Sequence, residues 1–211
     1  MIRRMLGQRF ARTATNTVLA KPQLWRLFRG PMRRQFDKLA PQWDTILMPD
    51  HLAAHNAALQ AIPVAPARAL DVGTGTGAAA FATAERFPDA EVVGVDLADS
   101  MVEHARRKTP PGLQGRVRFE SGDAAQLPFA DESFDLVAHA NMIPFFDEAA
   151  RVLAPGGYVV FSFSGGSQTP IYVPPERLRR ELAARNFTDF VELAGGRGTS
   201  LLARKLPVSA A

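Results

Sequence analysis

Arg68-Ala69-Leu70-Asp71-Val72-Gly73-Thr74-Gly75-Thr76-Gly77 is the stretch from which the fold of this chain follows. Arg68–Val72 has the short apolar run of a buried strand, and Ala78-Ala79-Ala80 beyond it is a run of strong helix formers. A strand that passes through glycines straight into a helix is the first half of a crossover unit. Gly73 is placed to take the tight turn. Gly75 and Gly77 let a ligand and the helix approach the backbone with no Cβ in the way. An ordinary glycine-rich turn has the same composition, so the neighbouring residues must decide what the loop holds.

Outward from that loop the chain alternates strands and helices, the pattern of a parallel sheet covered on both faces. A helix is expected to about Phe87, a strand at Glu91–Val95, a helix at Ser100–Lys108 and a strand at Val117–Ser121. A fourth strand follows at Phe134–Ala138 and a helix at Phe146–Leu153. A fifth strand, Tyr158–Phe163, is entered through the turn Pro155-Gly156-Gly157. After a helix at Pro175–Arg185, strands at Asp189–Leu193 and Thr199–Arg204 are joined by Gly195-Gly196-Arg197-Gly198, a hairpin connection. The expected fold is α/β, a doubly wound seven-stranded, mostly parallel sheet with an antiparallel C-terminal hairpin and an N-terminal helical extension. Residues 1–35 read as a basic helical extension, 36–66 as a helical cap and linker, and 67–211 as the main domain. Pro22 and Gly30-Pro31 are expected to cut the extension into short pieces, and Pro49-Asp50 to break the cap.

Two ligands suit the glycine loop. Gly73, Gly75 and Ala78 fit the G-x-G-x-x-G/A form that cradles a dinucleotide pyrophosphate, which keeps an NAD(P)-dependent oxidoreductase in view. Asp71 argues the other way: a carboxylate at the strand end lies where a pyrophosphate would pass and would repel it, whereas an ammonium or sulfonium is favoured. The helix N-terminus is then free to meet a carboxylate, as the methionine end of S-adenosylmethionine provides. Asp96 ends the second strand, where an acid accepts ribose hydroxyls from either cofactor. Asp123 ends the third, its carboxylate suited to an adenine amino group and the Ala124 amide to a ring nitrogen. Three acids along one sheet rim outline one small cationic nucleoside.

These residues, with Val95-Asp96, Gly122-Asp123 through Phe129, Phe134-Asp135-Leu136-Val137 and Arg151-Val152-Leu153-Ala154-Pro155-Gly156-Gly157, give the chain from about Phe36 to Lys205 a family likeness. It resembles class I S-adenosylmethionine-dependent methyltransferases of Rossmann-like fold, close to the small-molecule branch that includes quinone-biosynthesis C-methyltransferases. The resemblance implies S-adenosylmethionine as cofactor. Asp71, Gly73, Thr74, Gly75 and Gly77 would lie near its methionine part, Asp96 and Leu97 at the ribose, Met101 on the adenine face, and Asp123 with Ala124 at the adenine edge. Phe36-Asp37 and Trp43-Asp44 look like the family's capping segment, with Trp43 beside the cofactor. Ala140–Phe146 is short for the family, so the substrate lid is minimal.

Methyl transfer from a sulfonium is an in-line displacement in which the protein mainly aligns donor and acceptor. A base is needed only where the acceptor keeps its proton until attack. His139, next to the expected end of the fourth strand, is the candidate for that role and for contact with the cofactor; a packing histidine is the competing reading. Asn141 is a candidate for positioning a polar group, while His51, His55 and His104 read as surface or packing residues. No residues have metal-ligand spacing. The absence of cysteine excludes disulfides, thiolate sites and covalent attack on cytosine. The Asn/Asp-Pro-Pro-aromatic signature for amino nitrogens is missing after the fourth strand.

The net charge of +4 is unevenly spread: residues 1–38 hold ten Lys/Arg and one acid, and the remainder carries fifteen bases against twenty acids. A basic amphipathic segment with Trp25 and Phe28 suits an extension packed on the main domain, a peripheral membrane contact, or a transit peptide. No apolar run approaches a membrane span, so a soluble, cytoplasmic protein is expected, with a peripheral membrane contact left open as one of those readings. The expected partner is a small-molecule acceptor. A nucleic-acid acceptor rests only on the basic extension, and a cofactor-binding module without turnover is a further alternative.

Overall fold

The computed structural model describes residues 2–207, with side chains from residue 8 onward. Met1, residues 208–211 and the side chains of Arg3 and Arg4, all assigned above to the extension or the main domain, lie outside the described residues. In chain order the elements are α1 (Ile2–Ala20), α2 (Trp25–Leu39), α3 (Trp43–Ile46), α4 (Ala53–Ala61), β1 (Arg68–Val72), α5 (Ala78–Arg86), β2 (Glu91–Asp96) and α6 (Asp99–Arg107). They continue with β3 (Val117–Ser121), β4 (Phe134–Ala140), α7 (Phe146–Val152), β5 (Leu153–Phe163), α8 (Pro175–Ala183), β6 (Phe187–Gly195) and β7 (Gly198–Lys205).

The strands form one seven-stranded sheet in the order β3-β2-β1-β4-β5-β7-β6. β1 to β5 are parallel, and β7 runs antiparallel to both β5 and β6. Winding goes outward from β1 to β3, then returns to β4 on the other side of β1. That reversal leaves a crevice at the carboxyl ends of β1 and β4, where ligands of open α/β sheets gather. Strand parity sends Ala69, Val92, Leu136 and Val160 to one face, under α4, α5 and α6. Leu70, Val93, Val137 and Phe161 go to the other, under α7, α8 and the N-terminal helices.

The extension is built into that second core layer. Ala14, Val18, Trp25 and Met32 are buried with the strands. Arg12 donates to the Thr169 carbonyl at 2.8 Å, and Arg177 reaches back to the Leu19 carbonyl at 2.8 Å. The expected break at Gly30-Pro31 does not occur: α2 runs through Pro31 and across the boundary drawn between residues 35 and 36. Proline removes one backbone bond there, to the carbonyl of Leu27. Leu27 is 62% exposed, so water can replace the lost donor. The turn Pro155-Gly156-Gly157 also differs from expectation. β5 already pairs with β4 at Leu153, and the glycines form an irregularity between the Phe134 and Leu136 pairings. A Cβ on Gly157 would lie 2.8 Å from the Asp135 carbonyl, so the close approach of the strands requires glycine.

Candidate functional site

A cleft opens at the β1/β4 reversal, with Asp71, Gly73, Thr74 and Gly75 on its floor. Asp71 is 1% exposed. Its Oδ2 accepts a hydrogen bond from the Thr74 hydroxyl at 2.6 Å, while its Oδ1 is buried with no partner among the described residues. Burial pushes this carboxyl up to about 7, with the nearby Asp96 charge adding to the rise. Asp96 sits at the end of β2. Its Oδ2 accepts from the Gly75 amide at 2.8 Å and its Oδ1 from the Ala98 amide at 2.9 Å. A carboxylate has about four lone-pair sites, so two donors leave room for two hydroxyls side by side. Desolvation raises the Asp96 carboxyl as well. A buried, unpaired carboxylate oxygen beside a diol-accepting carboxylate suits a ligand that carries a cation at one end of a ribose.

The glycines divide by role. Gly73 and Gly75 line the cleft with positive φ, and a Cβ on them would run into Met142 and Trp43, which press on the loop from above. Gly77 lies outside the cleft wall. A Cβ there would come within 2.7 Å of Phe119, so it serves the packing of α5 on the sheet.

Leu97, Met101 and Ala124 also line the cleft, as an adenine pocket requires. Among the described residues the Ala124 amide donates to no protein acceptor, which leaves it free for a ring nitrogen. Asp123 departs from expectation. Its Oδ1 accepts from the Trp25 indole and the Ala125 amide, at 2.8 and 2.9 Å, and Arg29 reaches its Oδ2 at 3.3 Å. The carboxylate therefore clasps α2 and does not line the cleft; two acids of the expected three face the shared space.

His139 also departs from expectation. It lies within β4, which runs to Ala140, and is 2% exposed, stacked on Phe161 with ring centroids 4.6 Å apart. It is absent from the cleft wall. Desolvation lowers its pKa to about 3, far from the range of an effective base at neutral pH. Strand parity turns it into the core beside Val137. Trp43 does line the cleft, edge-on to Phe36 at 5.5 Å. Asn141 lines it too, with φ of 55° and its Oδ1 accepting from the Ser164 amide at 2.9 Å. That bond ties the exits of β4 and β5 together.

Residues 69–157 match the model of a methyltransferase domain. Over 141 residues the chain is 38% identical to the demethylmenaquinone methyltransferase of Deinococcus radiodurans, covering 61% of this chain and 58% of that protein. Over that segment it is similar to S-adenosylmethionine-dependent methyltransferases. A malonyl-[acyl-carrier protein] O-methyltransferase of Halorhodospira halophila is 34% identical over 146 residues, covering 65% of this chain and 49% of that protein. The chain thus spans about half the length of these curated relatives. A SAM-dependent methyltransferase from Aquifex aeolicus shares the fold with a TM-score of 0.66 at 16% identity, covering 79% of this chain and 98% of that one.

The relatives it matches are named as methyltransferases and not as dinucleotide-dependent oxidoreductases. The expected residues from Asp71 to Ala124 fall within the matched segment, whereas much of the roof lies outside it. Trp25, Met32 and Phe36 from α2, and Leu47, His51 and Leu52 from the loop before α4, close the cleft from above. Of these, Phe36 was expected in the capping segment, Trp25 was read as part of the basic amphipathic segment, and His51 as a surface or packing residue. The signal was faint: apolar residues at helical spacing in a basic segment read as packing until the helix is seen to cross the rim.

Proposed function

We propose that this chain transfers a methyl group from S-adenosylmethionine to a small phenolic or quinol-like acceptor. The observation that carries the reading is one cleft whose wall combines buried acids with apolar side chains. Asp71, its Oδ1 unpaired among the described residues, and Asp96 line it together with Leu47, Leu52, Met142, Ile143 and Ile171. S-adenosylmethionine, when bound, supplies a methyl already activated by its sulfonium. Asp71 would hold the ammonium of its methionine part, Asp96 the ribose diol, and Leu97, Met101 and the Ala124 amide the adenine. Trp43 and Met142, pressed on the glycine loop, would exclude water from the line of displacement. The apolar wall suits a flat aromatic ring, and relatives named for menaquinone chemistry support that acceptor class. Calorimetry should show S-adenosylmethionine binding on the order of micromolar. Incubation with 1,4-dihydroxynaphthalene should then yield S-adenosylhomocysteine and a methylated ring product by mass spectrometry. Binding of NAD in its place would overturn the reading.

An acceptor of this kind partitions into membranes. We infer that α2 brings the enzyme to an anionic membrane surface on the cytoplasmic side. Leu27 stands exposed on that helix beside exposed Arg26, with Arg34 two turns on, a pairing of apolar and basic groups that favours such an interface.

A further inference from the structure

Apart from Asp71 and Asp96, His51 is the only titratable side chain among the described residues that line the cleft. It lines the cleft with Leu47 and Leu52 of the same loop. Its Nδ1 lies 2.6 Å from the Met48 carbonyl. A carbonyl only accepts, so Nδ1 carries the hydrogen and Nε2 carries the lone pair. That Nε2 is buried and has no hydrogen-bond partner among the described residues. A buried acceptor without a donor is costly and points to a donor brought in by a ligand.

The loop that presents His51 is held from outside the cleft. The His51 and Ala53 amides donate to the Met48 and Asp50 carbonyls, both at 3.0 Å, which curls the loop into tight turns. Asp50 pairs with Arg197 at 3.4 Å, and Arg197 also touches the Met48 sulfur. A Cβ on Gly195 would fall 2.4 Å from the Ala53 carbonyl, and one on Gly196 2.6 Å from the Asp50 carboxylate. The β6–β7 turn is thus bare so that this loop can sit on it. Its ordering gives the imidazole one orientation.

Building on the proposed methyl transfer, we propose that His51 Nε2 is the group that receives the proton of the acceptor's hydroxyl. The hydroxyl O–H bond breaks toward Nε2, and the electron pair left on oxygen forms the new bond to the methyl carbon, directly or through a conjugated ring carbon. The carbon–sulfur bond breaks with its pair going to sulfur. Where the new bond is to a ring carbon, that carbon loses its hydrogen as a proton and the oxygen regains one. The positive charge that leaves the sulfonium reappears as imidazolium, which passes its proton to water. His51 replaces His139 in this role because it faces the cleft and keeps a free lone pair there.

The test compares 1-naphthol with naphthalene, two rings that differ by one hydroxyl. Their binding is measured by calorimetry, with and without S-adenosylhomocysteine, on wild type, His51→Ala and His51→Gln. Wild type should prefer 1-naphthol on the order of ten-fold. His51→Ala should lose that preference, and His51→Gln, whose side-chain oxygen reaches a similar place, should keep most of it. The turnover of 1,4-dihydroxynaphthalene should fall in both variants. Equal binding of the two rings by wild type, binding of neither, or an unchanged preference in His51→Ala would overturn the proposal. Failure of S-adenosylhomocysteine to bind is a separate result that sinks the proposed methyl transfer, and the ring comparison without it still decides on His51.

Discussion

Asp71 keeps one carboxylate oxygen buried and unpaired, and desolvation raises its pKa to about 7. Such a group is protonated in the folded protein at a pH where the unfolded chain would have ionised it. Its contribution to stability is therefore complete below the ordinary carboxylate range and is lost as pH rises through about 7. An ammonium placed against Oδ1 reverses the preference, because it pairs only with the ionised form. Affinity for S-adenosylmethionine should accordingly increase between pH 6 and pH 8, with proton release that calorimetry in buffers of different ionisation enthalpy can count. Asp71→Asn should weaken binding by roughly ten- to a hundred-fold, the range for a hydrogen bond to a charged group. The same change should remove the fall in thermal stability across that pH interval. The position of Asp71 was legible in the sequence, since a strand end before a glycine turn places a side chain at the sheet rim. The same logic failed for His139. β4 continues to Ala140, so His139 is still within the sheet, and parity turns it into the core.

Between elements, the clasp of α2 onto the loop after β3 changes what Asp123 is for. Trp25 and Arg29 approach its two oxygens from 98 and 94 residues away, and Trp25 also packs edge-on against Phe145 with centroids 5.2 Å apart. Asp123→Ala removes a charge-assisted bond to a buried indole, and the usual cost of such a loss is about 1–3 kcal/mol. Thermal unfolding of Asp123→Ala should show a clear loss, with little change in cofactor affinity. Asp96→Ala should do the reverse, losing the ribose contact. Equal affinity losses in the two variants would return Asp123 to the adenine pocket. This division explains how much of the molecule could be read beforehand. The alternation from β1 to β7 was legible because strand runs and turns are local. The acids were legible because they sit at strand ends. The roof was not, since which helix covers which rim depends on contacts between distant segments, and Pro31 looked like a break only in isolation. His51 was hidden for the same reason: a histidine in a short loop acquires a role only when the β6–β7 turn holds that loop over the cleft.

At the scale of the whole molecule, the excess of bases in the first 38 residues is partly spent on the protein itself. Arg12 and Arg29 reach acceptors on the main domain and Arg33 pairs with Asp99, which leaves Arg26 and Arg34 among the exposed bases of α2. Leu27 projects between them, with no helix among the described residues long and apolar enough to cross a membrane. A cationic surface with one apolar residue binds anionic lipid weakly and reversibly, at about 1 kcal/mol per base near the headgroups. The full chain should therefore sediment with vesicles containing phosphatidylglycerol and remain free of purely zwitterionic ones. Binding should fall steeply as salt rises from 50 to 300 mM, since screening shortens the reach of each charge. Arg26→Glu with Arg34→Glu should abolish it, and Leu27→Asp should reduce it, while neither changes the affinity for S-adenosylmethionine because none of these side chains lines the cleft. Vesicle binding that ignores both lipid charge and salt would mean that the basic helix serves only to close the site from above, and that an apolar acceptor must reach the enzyme by another route.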